Sequence, residues 1–143
     1  MPLLNYTTEV DVLKTAGQIQ AVLVQAGARR ISTEYNQVGK PTGISFEVET
    51  GFGVRHFELP VNGPAVRTVL EEQRVERRYR TAEQAERVAW RITKDWVEAQ
   101  LAIIQTNMVT LDQVMLPYML VDDGRTVYGV YRDQQLALPA GSK

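Results

Sequence analysis

The stretch from Arg30 to Val61, RISTEYNQVGKPTGISFEVETGFGVRHFELPV, decides the fold. Ile31, Thr33 and Tyr35 alternate with Arg30, Ser32 and Glu34, and Ile44, Phe46 and Val48 alternate with Ser45, Glu47 and Glu49. Phe57, Leu59 and Val61 then alternate with residues that include His56 and Glu58. A period of two puts the apolar set on one side of an extended chain and the polar set on the other. The breaks between the three runs are turn chemistry: the cluster from Asn36 to Gly43 holds Gly39, Pro41 and Gly43, and Gly51-Phe52-Gly53 makes a tight reversal. Three consecutive runs joined this way predict an antiparallel meander with one packed face and one wet face.

Upstream, the period changes to that of a helix. Val12, Ala16, Ile19, Leu23 and Ala26 recur at helical spacing, so a helix is expected from near Val10, capped by Thr7 or Thr8 and stopped at Gly27. Downstream, Asn62 caps a short helix carrying Ala65, Val66, Val69 and Leu70 and ending near Gln73. Thr81 with Gln84 has the spacing of a capping box and starts the longest helix, to about Thr106. Thr110 with Gln113 repeats the device for a helix bearing Leu111, Val114, Met115 and Met119, in which Pro117 should kink or end the regular turn. A short last helix is expected over Thr126 to Gln135, with a strand the alternative because Val127, Tyr128, Val130 and Tyr131 alternate in part. The order is α-β-β-β-α-α-α-α, an α+β class: an N-terminal helix, a three-stranded antiparallel meander, then a helical C-terminal half. A single domain over 1–143 is expected, with helix and sheet in 7–61, helices in 62–135 and a frayed tail in 136–143. The first five elements share the order of double-stranded-RNA-binding domains, but the second helix opens with NGPAV and lacks their lysine-rich phosphate-gripping turn.

The long helix carries two apolar stripes. At 100° per residue, Ala85, Val88, Ala89, Ile92, Trp96, Ala99 and Ile103 fall on one side, the expected core face. Trp90, Val97, Leu101 and Ile104 form a second stripe. A helix apolar over more than half its circumference is either sandwiched within its own domain or shared with a second subunit, and aromatic anchors are typical of interface centres. Both outcomes stay open, and a homo-oligomer anchored by Trp90 is expected.

The remaining face continues a basic loop. Arg74, Arg77, Arg78, Tyr79, Arg80, Arg87, Arg91 and Lys94 place seven basic residues in 74–94 against three acidic ones, although the chain as a whole carries a net charge of −1. Guanidinium forks suit phosphate oxygens, and Tyr79 could stack on a base. The segment is a candidate DNA or RNA footprint. Its alternative is a solvated surface whose charges pair with Glu71, Glu72, Glu83 and Glu86. Glu34, Glu47, Glu49 and Glu58 on the wet face of the sheet would repel phosphate, so binding is not expected there.

Catalysis finds little footing. The chain has no cysteine, which excludes disulfides and thiolate chemistry, and its one histidine, His56, has no ligand or triad pattern around it. Glu47 and Glu49 with Asp122 and Asp123 could hold a divalent ion, but Asp122-Asp123-Gly124 reads as a routine turn. No phosphate loop or nucleophile elbow occurs. No catalytic residue, metal or cofactor is therefore expected. With 44% hydrophobic and 23% charged residues the composition is that of an ordinary globular protein. No apolar run reaches membrane-spanning length, so no membrane association and a cytoplasmic location are expected.

The segments ERVAWRITKDWVEAQLAII (86–104) and MVTLDQVMLPYML (108–120) carry a resemblance to a known group, as do NYTT at 5–8, the GAR end of the first helix and RRYRTAEQAERVAW at 77–90. On these the chain resembles, over roughly 5–131, a family of small uncharacterised proteins encoded by phages, prophages and mobile elements, with no assigned activity. The resemblance implies a bacterial or phage-infected host cytoplasm, beside replication or recombination functions. The resulting expectation is a non-catalytic, nucleic-acid-associated accessory protein. A protein–protein interaction module without nucleic-acid binding is the alternative.

Overall fold

A computed structural model describes residues 1–138. The order is α1 (Val12–Gln25), β1 (Ala28–Tyr35), β2 (Pro41–Thr50), β3 (Gly53–Glu58), α2 (Gly63–Glu72), α3 (Ala82–Gln105), α4 (Leu111–Met115) and α5 (Val127–Ala137). Short 3-10 turns lie at Arg77–Tyr79 and Leu116–Tyr118. The strands form one antiparallel sheet in the order β1-β2-β3, so the α+β architecture is the expected one.

The period-two reading sets the sheet. Register places Ile31 opposite Phe46 and Phe46 opposite Phe57, so the apolar sets of all three strands share one face. Phe46 and Phe57 stack with centroids 5.3 Å apart, and both are sealed from solvent. Full burial of such a ring is worth roughly 1.5–3 kcal/mol against leaving it exposed. Gly53, at φ +100°, supplies the left-handed residue of the β2–β3 hairpin, where the Thr50 hydroxyl donates to its carbonyl at 2.8 Å.

Several boundaries move for local reasons. Asp11, not Thr7 or Thr8, caps α1, its carboxylate accepting from the Leu13 N–H. Residues 5–8 are instead a turn, with Asn5 at φ +65° and the Thr8 N–H bonded to the Asn5 carbonyl. Thr81 caps α3 by accepting from the Gln84 N–H, but the Gln84 side chain does not return the bond. It donates to the Tyr6 and Thr8 carbonyls at 2.9 and 3.0 Å, tying the N-terminal turn to α3. The Thr110–Gln113 box is complete. Pro117 ends α4 in a 3-10 turn, and Met119 leaves the helix to bridge Phe57, covering the C-terminal end of the outer β3 edge. The last helix runs two residues past Gln135, to Ala137; the rest of the expected tail, 139–143, lies outside the described residues.

The largest correction concerns α3. Trp90 has no exposed surface, Val97 is 3% exposed and Leu101 8%, while Ile104 is half-buried. The stripe expected to anchor a second copy thus faces the chain's own core, where Trp90 and Val97 join Phe46, Phe57, Ile19 and Leu23. In the other stripe Ala85, Val88 and Ala89 are buried, but Ile92, Trp96 and Ile103 are only partly covered and Ala99 is exposed. The physical reason is the shape of the pocket around the helix. The buried arc is centred between the two stripes, on Ala89, Trp90, Thr93 and Val97, and the rim of each stripe is closed by neighbours such as Tyr118 against Trp96, at 5.4 Å. Buried Thr93 turns its hydroxyl back to the Ala89 carbonyl at 2.8 Å and so fits this face without an outside partner.

Candidate nucleic-acid interface

The basic loop is built by three local devices. α2 runs out at Gln73, and Arg74 takes a left-handed φ of +53° that turns the chain back. Arg77–Tyr79 coil into a 3-10 turn, with the Tyr79 N–H on the Glu76 carbonyl at 2.8 Å and the Arg80 N–H on the Arg77 carbonyl at 3.0 Å. Thr81 then caps α3. Arginines so closely spaced on a tight turn cannot all project the same way, and they divide between two shallow depressions.

Arg77 and Arg80 line the first depression, of about 340 Å³, together with Arg67, Glu71 and Thr81. Arg67 comes from α2, holds the Arg80 carbonyl through its Nε at 3.3 Å and pairs with Glu71 at 3.3 Å. Its place at this site is missed by a reading of the loop alone; the signal was an arginine one helical turn before Glu71, on a helix that packs against α3. The Arg80 Nε is shut off from solvent without a hydrogen-bond partner. The first turn of α3 adds a set of backbone N–H groups and the positive end of a 24-residue helix beside this cluster.

Arg78, Tyr79 and Arg87 line the second depression with Thr7, Thr8, Glu9 and Gln84. Their side chains are largely occupied within the fold. Arg78 pairs with Glu76 at 3.2 Å and lies 4.6 Å over the Tyr79 ring, whose edge contact with Tyr6 is at 5.5 Å. Arg87 donates to the Gln84 side-chain oxygen at 2.9 Å. Tyr79 thus spends ring surface on its own chain that a stacked base would need.

Arg74 is exposed and lines neither depression, and Arg91 and Lys94 do not join them. Arg91 reaches across to α1, donating to the Gln18 and Thr15 side chains, and Lys94 pairs with Glu98 at 2.6 Å while only 16% exposed. Arg91 thus ties α3 to α1, and Lys94 is held by carboxylates of its own helix.

Next to Arg67, the Glu86 carboxylate occupies the space that a side chain on buried Gly63 would need. Burial pushes its pKa up. The folded state therefore disfavours the charged carboxylate. That penalty is absent at pH below the ordinary glutamate range, where both states are protonated, and is complete above the raised folded value. Glu86→Gln is expected to raise the melting temperature modestly at pH 7, with the gain fading as pH falls through the raised folded value and gone below about 4. Thermal scans of both proteins from acid to neutral pH check this; an equal difference at every pH would show that the carboxylate charge is not responsible.

The acidic candidates are dispersed. Glu47 and His56 are cross-strand neighbours on the wet face of the sheet. Asp123 is taken by Arg125, which also holds Asp133 at 3.0 Å; the hydrogen bond from Arg125 keeps both carboxyls below the usual aspartate range. Among the described residues, no three histidines or carboxylates approach closely enough to share a metal ion. Nor is any described helix long and apolar enough to cross a membrane.

Comparisons with protein-family models, with curated proteins and with solved structures return no match for this chain.

Proposed function

We propose that the chain is a non-catalytic, nucleic-acid-associated accessory protein that holds phosphates at the start of α3. The supporting observation is the convergence of Arg67, Arg77 and Arg80 on one depression beside the Thr81 cap, with Glu71 the only acidic residue lining it among the described residues. Three guanidinium groups around one carboxylate leave donors in excess, and a phosphate is the anion whose geometry they fit. The phage or mobile-element setting and the cytoplasmic location rest on the sequence resemblance.

Fluorescence anisotropy with labelled single- and double-stranded oligonucleotides tests the reading. Binding is expected at ~50 mM salt and should weaken linearly on a log–log plot as salt rises. Arg77→Ala with Arg80→Ala should weaken binding to all sequences alike and reduce the salt slope by about one for each phosphate no longer held. Arg91→Ala should leave the slope unchanged. If neither probe binds at ~50 mM salt, where counterion release favours binding most, the reading fails.

A protein-interaction module is the second reading. It is favoured by a cleft of about 510 Å³ between the end of β3 and the 117–128 segment, lined by Pro60, Val61, Pro117, Tyr118 and Tyr128, with Tyr128 54% exposed. That reading requires no polynucleotide affinity.

A further inference from the structure

We propose that the chain forms a twofold dimer by pairing β1 with β1 of a second copy, making one continuous six-stranded sheet. The two edges of the sheet are treated differently. The C-terminal end of the β3 edge is covered by the chain itself, through the Phe57–Met119 bridge and the Leu120 N–H on the His56 carbonyl at 2.7 Å. Among the described residues, β1 pairs on one side only. The Leu59 N–H bonds the Ile44 carbonyl, which directs the backbone of Ile44 and Phe46 toward β3 and, by the antiparallel alternation, that of Ser45 and Glu47 toward β1. Ser45 and Glu47 face Ser32 and Arg30, so the N–H and C=O groups of Ile31 and Thr33 point outward from the sheet. An open edge of this kind is a template for strand addition.

The occupant is read from the side chains of that edge. Pairing is regular from Arg30 to Glu34, between the two register shifts of β1. An antiparallel pairing about a twofold axis at Ser32 sets Ile31 opposite Thr33 of the second copy and Arg30 opposite Glu34 of the second copy, twice by symmetry. An axis at Ile31 or Thr33 would place serine opposite these charges and lose both ion pairs. Arg30 is 75% exposed at its side chain and reaches Glu47 only at 4.0 Å, so little holds it away from the new partner.

An independent feature lies on the same side of the molecule. One flank of α1 takes Arg91 of α3 through Thr15 and Gln18. The opposite flank carries Leu13, Gly17, Gln20 and Val24 at helical spacing, and Gln20 reaches down to Thr33 of β1 at 3.0 Å. Leu13 and Val24 are 54% and 62% exposed, and the space around Gly17 is open. Joining two β1 edges brings two such flanks toward each other above the sheet, with Gly17 permitting a close approach and the leucine and valine gaining cover. Nothing in this rests on the arginine loop, so dimerisation and nucleic-acid binding stand or fall separately.

Light scattering on the full chain is expected to give about twice the 16.1 kDa protomer mass. Arg30→Glu should weaken association about tenfold, because it sets two like-charged pairs across the axis, and Glu34→Arg should do the same. The double variant Arg30→Glu/Glu34→Arg should restore it. Ser32→Cys, in a chain without cysteine, should form an intermolecular disulfide under mild oxidation, since the two sulfurs meet at a non-hydrogen-bonded pair on the axis. A single-protomer mass up to ~200 µM, well above a micromolar Kd, overturns the proposal. So does a dimer that is indifferent to Arg30→Glu and leaves Ser32→Cys uncrosslinked. Unchanged urea midpoints for the charge variants separate lost association from lost folding.

Discussion

Replacing Trp90 with alanine is expected to destabilise the fold by about 3–5 kcal/mol, the usual cost of removing a large aromatic side chain from a packed interior. The indole is fully enclosed and touches the cluster that joins α1, the sheet and α3, so little nearby can collapse into the space it leaves. At this chain length the loss corresponds to a melting point lower by about 10 °C or more. Trp90→Phe supplies the control. The Trp90 indole N–H is buried without a hydrogen-bond partner, so phenylalanine removes an unpaired donor while keeping most of the apolar volume. It should cost less than about 1.5 kcal/mol. Urea titrations of the three proteins give the comparison. A Trp90→Ala chain unfolding at the wild-type midpoint would place the indole outside the core.

Gln84→Leu should cost about 2–3 kcal/mol although the shape is nearly conserved, because buried partners lose their hydrogen bonds. Gln84 is 3% exposed, donates to the Tyr6 and Thr8 carbonyls and accepts from the Arg87 Nε. Leucine would strand two backbone acceptors and one guanidinium nitrogen. The N-terminal turn, which also packs Tyr6 against Tyr79, should then detach first. Hydrogen exchange of residues 3–10 should accelerate more than that of the sheet. Uniform exchange with an unchanged urea midpoint would mean that Gln84 is not what ties the turn to α3. The same variant should weaken oligonucleotide binding through the loop without altering any arginine.

Much of the fold is legible in the sequence because it rests on local periodicity and capping. Alternation over Ile44–Val48 needs only strand geometry, and Thr81, Thr110 and Asn62 each act on the N–H group three residues away. Where the capping pattern misleads, a distant partner intervenes: the Gln84 side chain goes to residues 6 and 8 rather than to Thr81. The candidate site is legible in part. Arg77 and Arg80 share a depression, whereas Arg67 joins them only because α2 packs on α3. Arg91 carries as much charge as its neighbours in sequence, yet its partners are on α1, 76 and 73 residues away.

Class, element order and the existence of two apolar stripes on α3 are all readable from the residues alone, since each follows from spacing within one segment. That the buried arc lies between the two stripes, taking residues from each, depends on the packed fold. Both are hydrophobic and both have helical spacing, so which residues are enclosed depends on what surrounds the helix: Trp90 and Val97 share one core with residues of α1 and the sheet, and Tyr118 packs beside it. The open edges belong to the same kind of question. Whether a strand lacks a neighbour is a property of the whole sheet: among the described residues no segment returns beside the outer edge of β1, whereas the segment at Met119 returns beside the end of β3.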